Sequence, residues 1–348
     1  MSTGVLGGGK GARSLPSRPG VRLAGTGTAV PATRLTNADL EAIMETSDEW
    51  ITQRTGIRAR HVHKVELGET TSGLAIAAAR SALSNAGMEG SEVDLVVVAT
   101  MTPDSPTPTV SCGVASAIRT GHAAALDLNG ACSGFVYGLN VAHDLMRAGS
   151  YRAALVIGAD RITRHLDYST RGRATSVLFG DGAGAVVLRA TDDASKGIIA
   201  QAMHSDGEGS RHLFIPYTRE DFPPEEEFEE HKINRVQMNG AAVFKFAVGT
   251  FSVLIERTLS KAGLSPEQVD HYVCHQSNAR ILEAARERFG IPGEKMPMNI
   301  DRYGNTVAAS VPLAFDEIRR TGRVREGQKV MFLAFGAGLT WGSSLWQL

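Results

Sequence analysis

Cysteine is scarce in this sequence, with three residues in 348. Cys112, Cys132 and Cys274 form no CxxC pair and leave an odd number, which argues against a disulfide framework and against a zinc site. Such sparse thiols are typical of proteins in a reducing compartment. The sequence therefore predicts a cytoplasmic protein that binds no metal and whose thiols are free for chemistry.

Long apolar runs and an excess of one charge are also missing. No stretch approaches the roughly 20 apolar residues of a membrane-spanning helix. Residues 1–20 lack the apolar core of a signal peptide and are predicted to form a flexible N-terminal extension. The formal net charge is −1 and both signs are spread along the chain, so composition argues against membrane insertion and nucleic-acid binding. A hydrophobic fraction of 43% is ample for a large core.

A helix, loop and strand pattern occurs twice in the chain. The segment AGMEGSEVD (residues 86–94) precedes the apolar run LVVV, and AGLSPEQVD (residues 262–270) precedes HYVC. Apolar runs of this kind suit sheets that are buried on both faces between helices. The repeat predicts two related α/β halves about a pseudo-twofold axis, one over residues 21–193 and one over residues 194–348.

Cys132 lies in the sequence ACSGF, between a strand-like segment and a helix of small and apolar residues. The apolar spacing from Val136 predicts a helix that stops at Gly149. Unpaired N–H groups and the helix dipole favour a thiolate in the first turn of a helix. We therefore expect Cys132 to be a nucleophile whose pKa is below that of a free thiol.

The second half offers two polar residues at the ends of matching elements. His275 directly follows the repeated strand HYVC, and chemistry in α/β sheets collects at the carboxyl ends of strands. Asn305 lies in YGNTVAAS, where a glycine again precedes a polar residue and a small-residue helix. We interpret this segment as the counterpart of the Cys132 segment, and we expect the three side chains to act together.

Several motifs, in this order, resemble those of the β-ketoacyl-[acyl-carrier-protein] synthase III family, and the resemblance covers residues 20 to 348. They are DEWI (48–51), RTGI (54–57), ACSGF (131–135), FGDGAG (179–184), HQSN (275–278), YGNT (303–306) and FGAGLTWG (335–342).

The resemblance implies a thiolase-like α/β fold, in which two βαβαβαββ halves form a five-layered αβαβα arrangement. It implies that Cys132 accepts an acyl group from acyl-CoA, and that the backbone N–H groups of Cys132 and Ala337 form an oxyanion hole. The family usually has glycine at position 337, so the geometry of this loop is in question. His275 and Asn305 would then stabilise the carbanion from malonyl-[acyl-carrier-protein], giving a 3-oxoacyl carrier protein. Elongating relatives have a second histidine in place of Asn305, so the Cys-His-Asn set points to the CoA-primed initiating branch.

The resemblance also implies binding residues and partners. The expected partners are acyl-CoA, acyl carrier protein and a second subunit of a homodimer, with no cofactor beyond these substrates. Thr107 falls where the family often has a bulky residue that reaches the partner's acyl pocket, which predicts primers longer or more branched than acetyl. The remaining positions are the CoA and pantetheine residues Trp50, Arg54, Arg173, Gly240 and Asn278, and the carrier-protein residues Lys245, Arg280, Arg286 and Arg288.

Two alternatives remain open at the level of sequence. One is a related acyltransferase of secondary metabolism, which would acylate an acceptor without decarboxylating malonyl. The other is a noncatalytic subunit that retains the fold. The presence of Asn305 argues against the first alternative, and the presence of Cys132 argues against the second. The sequence does not separate fatty acid initiation from a polyketide or other lipid pathway.

Overall fold

The structure is a computed structural model that describes residues 19–224 and 226–348. Within these residues the α-helices are α1 (Asn37–Glu41), α2 (Asp48–Thr55), α3 (Thr71–Ala86), α4 (Val110–Ile118), α5 (Gly134–Arg147), α6 (Arg173–Ser176), α7 (Gly240–Ala262), α8 (Ala279–Arg288), α9 (Ile300–Tyr303) and α10 (Ser310–Arg320). The strands are β1 (Gly20–Ala29), β2 (Arg34–Thr36), β3 (Ala59–His61), β4 (Leu95–Ala99), β5 (Ala124–Leu128), β6 (Ala153–Asp160), β7 (Gly182–Thr191), β8 (Gly197–Ser205), β9 (Leu213–Phe214), β10 (Gln237–Met238), β11 (His271–Cys274), β12 (Lys329–Gly336) and β13 (Thr340–Gln347).

The first half contains a five-stranded sheet in the order β1-β7-β6-β4-β5. β4 pairs in parallel with β5 and β6, while β7 is antiparallel to both β1 and β6. Helices α3, α4 and α5 connect the strands, so the chain order is βαβαβαββ, as predicted. The central strands read as continuous apolar runs because helices cover both faces of the sheet.

The second half repeats this order with one strand fewer. Its sheet has the order β11-β12-β13-β8, which matches β4-β6-β7-β1 of the first sheet. The counterpart of β5 would lie between α8 and α10, where the described chain has no strand. There, Gln276 donates to the carbonyl of Pro297 at 3.3 Å and accepts from the N–H of Asn299 at 3.0 Å. Side-chain hydrogen bonds thus hold this segment in place of a strand ladder.

The structure has five layers in the order helices, first sheet, central helices, second sheet, helices, and three hydrophobic clusters fill the spaces between them. This order confirms the predicted thiolase-like arrangement. One cluster packs α3 and α4 on the outer face of the first sheet, and another packs α7 and α8 on the outer face of the second sheet. The third lies between the sheets, where α5 and α10 contact each other and both sheets. The two central helices are therefore largely buried.

The two sheets are separated by a short polar connection. The first sheet ends at Thr191 and the second begins at Gly197, on either side of the predicted division at residue 193. The predicted N-terminal extension lies outside the described residues except for Pro19 and Gly20, and Gly20 already belongs to β1. Among the described helices, none combines the length and apolar character that a bilayer crossing requires.

A close approach of the two halves predicts a stability difference between two glycine substitutions. A Cβ at Gly158 would lie 2.2 Å from the carbonyl oxygen of Ala308, whereas a Cβ at Gly249 in α7 would have nothing within 4 Å. We expect Gly158→Ala to lower the free energy of unfolding by about 1–3 kcal/mol through overpacking. Gly249→Ala, the matched control, should raise it by about 0.5–1 kcal/mol because alanine favours helix. Urea denaturation measures both, and equal effects would contradict this close approach.

Candidate active site

Cys132 lies where the first sheet gives way to a central helix. A 3-10 turn, Ala131–Ser133, follows β5 and leads directly into α5, so the predicted helix is present, but Cys132 lies in the turn before it and not in its first turn. Ala131 has a φ of 46°, an uncommon backbone conformation for a residue with a Cβ. The side-chain oxygen of Asn129 accepts the N–H of Ala131 at 3.2 Å and supports this turn. Asn129 thus shapes the segment that presents the thiol.

The second half contains the same turn. The 3-10 turn Val307–Ala309 leads into α10, Val307 has a φ of 53°, and the side-chain oxygen of Asn305 accepts its N–H at 2.9 Å. Asn305 is therefore the structural counterpart of Asn129, and Ala308 is the counterpart of Cys132. The prediction that the two segments correspond is confirmed, but Asn305 and Cys132 occupy different positions of the shared turn. Because the amide oxygen of Asn305 is engaged, its NH₂ group is left as a donor.

The glycine-rich motif FGDGAG holds the backbone of Asn305. The N–H of Asn305 donates to the carbonyl of Leu178 at 2.8 Å, and the N–H of Gly180 donates to the carbonyl of Asn305 at 3.0 Å. A Cβ at Gly180 would lie 2.4 Å from the carbonyl oxygen of Tyr303, so only glycine allows this approach. This motif of the first half therefore positions a polar side chain of the second half.

His275 follows β11 directly, as predicted, and is almost fully buried. Its Nδ1 lies 2.6 Å from the hydroxyl oxygen of Ser310, which also accepts the N–H of Gln276 at 3.3 Å. Because the Ser310 oxygen accepts the N–H of Gln276, its hydroxyl proton is free to donate to Nδ1 of His275. This arrangement favours the tautomer of His275 with the proton on Nε2. Burial lowers the pKa of His275 to about 3, so the imidazole is neutral at physiological pH.

Cys132, His275 and Asn305 line one cavity, with about 650 Å³ of space between its walls. The three side chains come from both halves, and each is less than one-tenth exposed. The edge of the Phe335 ring faces His275, with 5.6 Å between the ring centroids. The other walls are mainly apolar, and they include Leu178, Phe179, Leu213, Met238, Val243, Phe244, Phe246, Ile281 and Leu339. Few, convergent polar groups in an apolar cavity are typical of a ligand site.

The thiol pKa differs from the sequence prediction. Burial and, to a smaller extent, the buried carboxylate of Asp160 raise the pKa of Cys132 to about 12. The N–H groups of Cys132 and Ala337 lower the thiol pKa, but by less than burial raises it. The prediction of a lowered pKa is therefore wrong, because the second half covers the helix end and excludes the water that would solvate a thiolate.

The two N–H groups predicted to form an oxyanion hole lie together at the thiol. If Gly336 carried a Cβ, that atom would lie only 2.7 Å from the Cys132 nitrogen. The backbone of the second half therefore passes directly against Cys132. Ala337 is not among the described residues with positive φ, and the neighbouring Gly338 takes the unusual conformation with a φ of 135°. The loop therefore accommodates the alanine side chain at position 337.

A second chamber also meets Cys132 and is lined almost entirely by apolar side chains. It has about 330 Å³ of space, and its walls include Met101, Ile162, Phe214, Ile215, Val236 and Val307. Ala337 and Phe179 border it as well. Cys132 thus lies where two chambers meet, one with polar groups and one without.

The predicted CoA residues lie near the entrance of the first cavity. The guanidinium groups of Arg54 and Arg173 lie 5.1 and 5.2 Å from the centroid of the Trp50 ring. Asn278 lines the cavity and donates to the carbonyl of Arg54 at 3.0 Å, which links the cavity to the tryptophan. Gly240 lines the cavity at the start of α7. Gly240 and Asn278 thus line the cavity, and Asn278 connects it to the group formed by Trp50, Arg54 and Arg173.

The predicted carrier-protein residues separate into two pairs. Arg280 lies 5.6 Å from the ring of Phe244, which lines the cavity, and Lys245 lines an open groove beside α7. Arg286 is paired with Glu283 at 2.6 Å, and Arg288 is paired with Glu256 at 2.8 Å. Of these four residues, Lys245 and Arg280 form no ion pair with a described residue. They can therefore meet an acidic partner without breaking an existing ion pair.

Thr107, the predicted acyl-pocket residue, is exposed and lines neither chamber.

Sequence reasoning missed two buried polar residues at the site. Ser310 contacts His275, and Asp160 accepts the N–H groups of Met101 at 2.9 Å and Ala308 at 3.1 Å. Burial raises the pKa of Asp160 to about 6. Its position at the end of an apolar strand was the available signal for Asp160, whereas no local pattern marks Ser310.

Comparison with known proteins identifies the family. The model of the 3-oxoacyl-[acyl-carrier-protein] synthase III family matches residues 126–207, and the model of its C-terminal part matches residues 259–348. The chain is 44% identical over 323 residues to a β-ketoacyl-[acyl-carrier-protein] synthase III of Bacillus cereus, covering 93% of this chain and 97% of that protein.

Solved structures agree with this comparison. The crystal structure of 3-oxoacyl-[acyl-carrier-protein] synthase III from Aquifex aeolicus has a TM-score of 0.86 at 38% identity and covers 94% of this chain and 100% of its own. The priming β-ketosynthase of the R1128 polyketide pathway has a TM-score of 0.87 at 33% identity and covers 97% of this chain and 99% of its own. This chain therefore belongs to the β-ketoacyl-[acyl-carrier-protein] synthase III family of condensing acyltransferases.

Proposed function

We propose that this protein condenses an acyl-CoA primer with malonyl-[acyl-carrier-protein] through an acyl-Cys132 intermediate and so initiates fatty acid or polyketide synthesis. The observation that carries the proposal is that Cys132, His275 and Asn305 line one buried cavity. Both metabolic contexts stay within the proposal, because the relatives include proteins named β-ketoacyl-[acyl-carrier-protein] synthase III and a priming β-ketosynthase of a polyketide pathway.

In the first half-reaction, the Cys132 sulfur attacks the thioester carbonyl of acyl-CoA. The bond from the carbonyl carbon to the CoA sulfur breaks, and the thiol proton leaves with CoA. The negative oxygen of the tetrahedral intermediate would accept the N–H groups of Cys132 and Ala337, which both lie against the sulfur. The apolar chamber next to Cys132 would hold the acyl chain.

In the second half-reaction, malonyl loses CO₂ and the electron pair moves onto its thioester oxygen. The Nε2–H of His275 and the NH₂ group of Asn305 would donate to that oxygen, and the resulting carbanion attacks acyl-Cys132. The thiolate of Cys132 leaves and takes a proton from water, and the product is a 3-oxoacyl carrier protein. A neutral imidazole suits this role because it donates without a net charge. The proposed steps use protein groups and the two substrates, without a further cofactor.

Trp50, Arg54, Arg173, Gly240 and Asn278 would bind CoA, with the adenine stacking on the Trp50 ring beside an arginine. The phosphopantetheine arm of the carrier protein would enter the same cavity. An acidic carrier protein would meet Lys245 and Arg280 at the entrance, where cations raise the rate of association. Because Arg286 and Arg288 are already paired, we assign them a smaller part.

A homodimer is part of the proposal. β5 is an edge strand of the first sheet, and its five residues, which include Leu126 and Leu128, are only half-buried. An apolar edge of this kind requires a cover, and a second copy of β5 would supply it. Thr107 would then face the partner's acyl chamber and leave room for long or branched primers. The free thiols of Cys112, Cys132 and Cys274 suit a reducing compartment, so we propose the cytoplasm as the location.

Substitutions at the site should separate the two half-reactions. We expect Cys132→Ala to show no mass gain after incubation with acyl-CoA, because the nucleophile is gone. Asn305→Ala should acylate normally, while condensation with malonyl carrier protein falls about 10²–10³-fold through loss of one oxyanion donor. Intact mass spectrometry reports both steps. Acylation without malonyl-dependent CO₂ release in the unaltered protein would support the acyltransferase alternative instead.

The raised pKa of the thiol predicts a pH dependence. Alkylation requires the thiolate, and its fraction rises about tenfold per pH unit while the pH is below the thiol pKa. We therefore expect the rate of Cys132 alkylation by iodoacetamide to increase from pH 7 to pH 9 without reaching a plateau. Exposed Cys112 serves as the internal comparison in peptide mass spectrometry. A plateau for Cys132 near pH 7 would contradict the raised pKa.

Primer choice tests the role of Thr107. We expect isobutyryl- and octanoyl-CoA to acylate Cys132 at least as fast as acetyl-CoA. Thr107→Phe should reduce octanoyl transfer at least about tenfold and leave acetyl transfer unchanged. The added ring would fill the pocket and remove contacts to several methylene groups of the octanoyl chain, each worth about 1–3 kcal/mol. Ser105→Phe adds the same ring to the same exposed loop and is the control. A strict acetyl preference of the unaltered protein would refute the proposed primer range.

A further inference from the structure

The hydroxyl of Thr340 lies between the two backbone segments that form the oxyanion hole. Its Oγ1 is 3.0 Å from the carbonyl oxygen of Gly130, which begins the Cys132 turn. It is also 3.0 Å from the carbonyl oxygen of Ala337 in the opposing loop. One hydroxyl proton is thus shared between a carbonyl of the first half and a carbonyl of the second half.

Ser133, the residue after the nucleophile, completes this contact from the other side. Its hydroxyl donates to the carbonyl of Thr340 at 3.1 Å, and the two hydroxyl oxygens are 3.2 Å apart. Ser133 is fully buried. Further along α5, Asn140 donates to the carbonyl of Ser343 at 3.1 Å, so the helix that follows Cys132 is tied to β13 at more than one point.

The oxyanion hole needs such a tie because its two donors belong to different halves of the chain. The N–H of Cys132 is fixed by the start of α5, and the N–H of Ala337 belongs to a loop beside Gly336 and Gly338. Glycines permit many backbone conformations, so the loop sequence alone does not fix the direction of this N–H. A displacement of about 1 Å at a catalytic group can cost about 10²-fold in rate.

We propose that Thr340, assisted by Ser133, is a positioning residue that sets the two oxyanion-hole donors relative to each other. This inference rests on the proposed function of the site. The hydroxyl pair does not touch the thioester, and its effect is on the tetrahedral intermediates of acyl transfer. Binding of acyl-CoA, which depends on the Trp50 side of the cavity, is independent of it.

The test is the acylation half-reaction of Thr340→Val, which keeps the β-branched shape and removes the hydroxyl. We expect its kcat for acylation to fall about 10–100-fold, while KM for acyl-CoA changes less than about twofold. Alkylation of Cys132 by iodoacetamide should fall much less than acylation, because that displacement passes through no oxyanion and the two N–H groups act only on the thiolate. Thr340→Ser should restore most of the rate, and Ser133→Ala should show a smaller loss than Thr340→Val.

Thr258→Val is the matched control. Thr258 makes a buried hydroxyl contact of 2.7 Å with Ser343, so this variant also removes a hydroxyl bond to β13 but lies away from the oxyanion loop. An equal fall in kcat for Thr258→Val, or a normal acylation rate for Thr340→Val, would overturn the inference. If Thr340→Val does not fold, an unchanged acylation rate in Ser133→Ala would overturn it. A failure of the unaltered protein to acylate would instead refute the proposed function.

Discussion

The site depends on direct contact between the backbones of the two halves. Gly336 leaves no space for a Cβ beside the nitrogen of Cys132, and Gly158 leaves none beside the carbonyl of Ala308. Each contact joins a strand of one half to a turn of the other half: β12 contacts the Cys132 turn, and β6 contacts the matching Ala308 turn. The two junctions differ in content. At the Cys132 turn, two N–H groups lie against the thiol sulfur. At the Ala308 turn, the carboxylate of Asp160 accepts the N–H of Ala308.

Burial of this junction has opposite consequences for its titratable groups. It keeps His275 neutral and able to donate, which suits stabilisation of a developing negative charge. It also raises the pKa of Cys132, which leaves less thiolate at neutral pH. The two N–H groups and the helix end at Cys132 work against this penalty, and they would act more strongly on the oxyanion than on the resting thiol. In the proposed reaction, the same exclusion of water that disfavours the thiolate also strengthens the donors that stabilise the intermediates.

Much of the fold could be predicted from local patterns. The repeated AG…VD segments, the apolar strands and the helix after Cys132 all depend on residues within a few positions of one another, and the structure confirms them. The missing fifth strand of the second sheet was not predictable, because hydrogen bonds from the Gln276 side chain replace a ladder there. Thr107 also shows the limit of local reasoning, since its proposed role depends on a second subunit.

The sequence by itself singled out Cys132, His275 and Asn305 as candidate site residues, and its repeat determined the prediction of two related halves. Only the tertiary structure decided how these residues meet. Ser133 and Thr340, which lie 207 positions apart, join the Cys132 turn to the loop that contains Ala337. The raised pKa of Cys132 likewise arises from the second half covering the first. Periodicity and capping act over a few residues, whereas burial and contacts between halves depend on the packing of the whole chain.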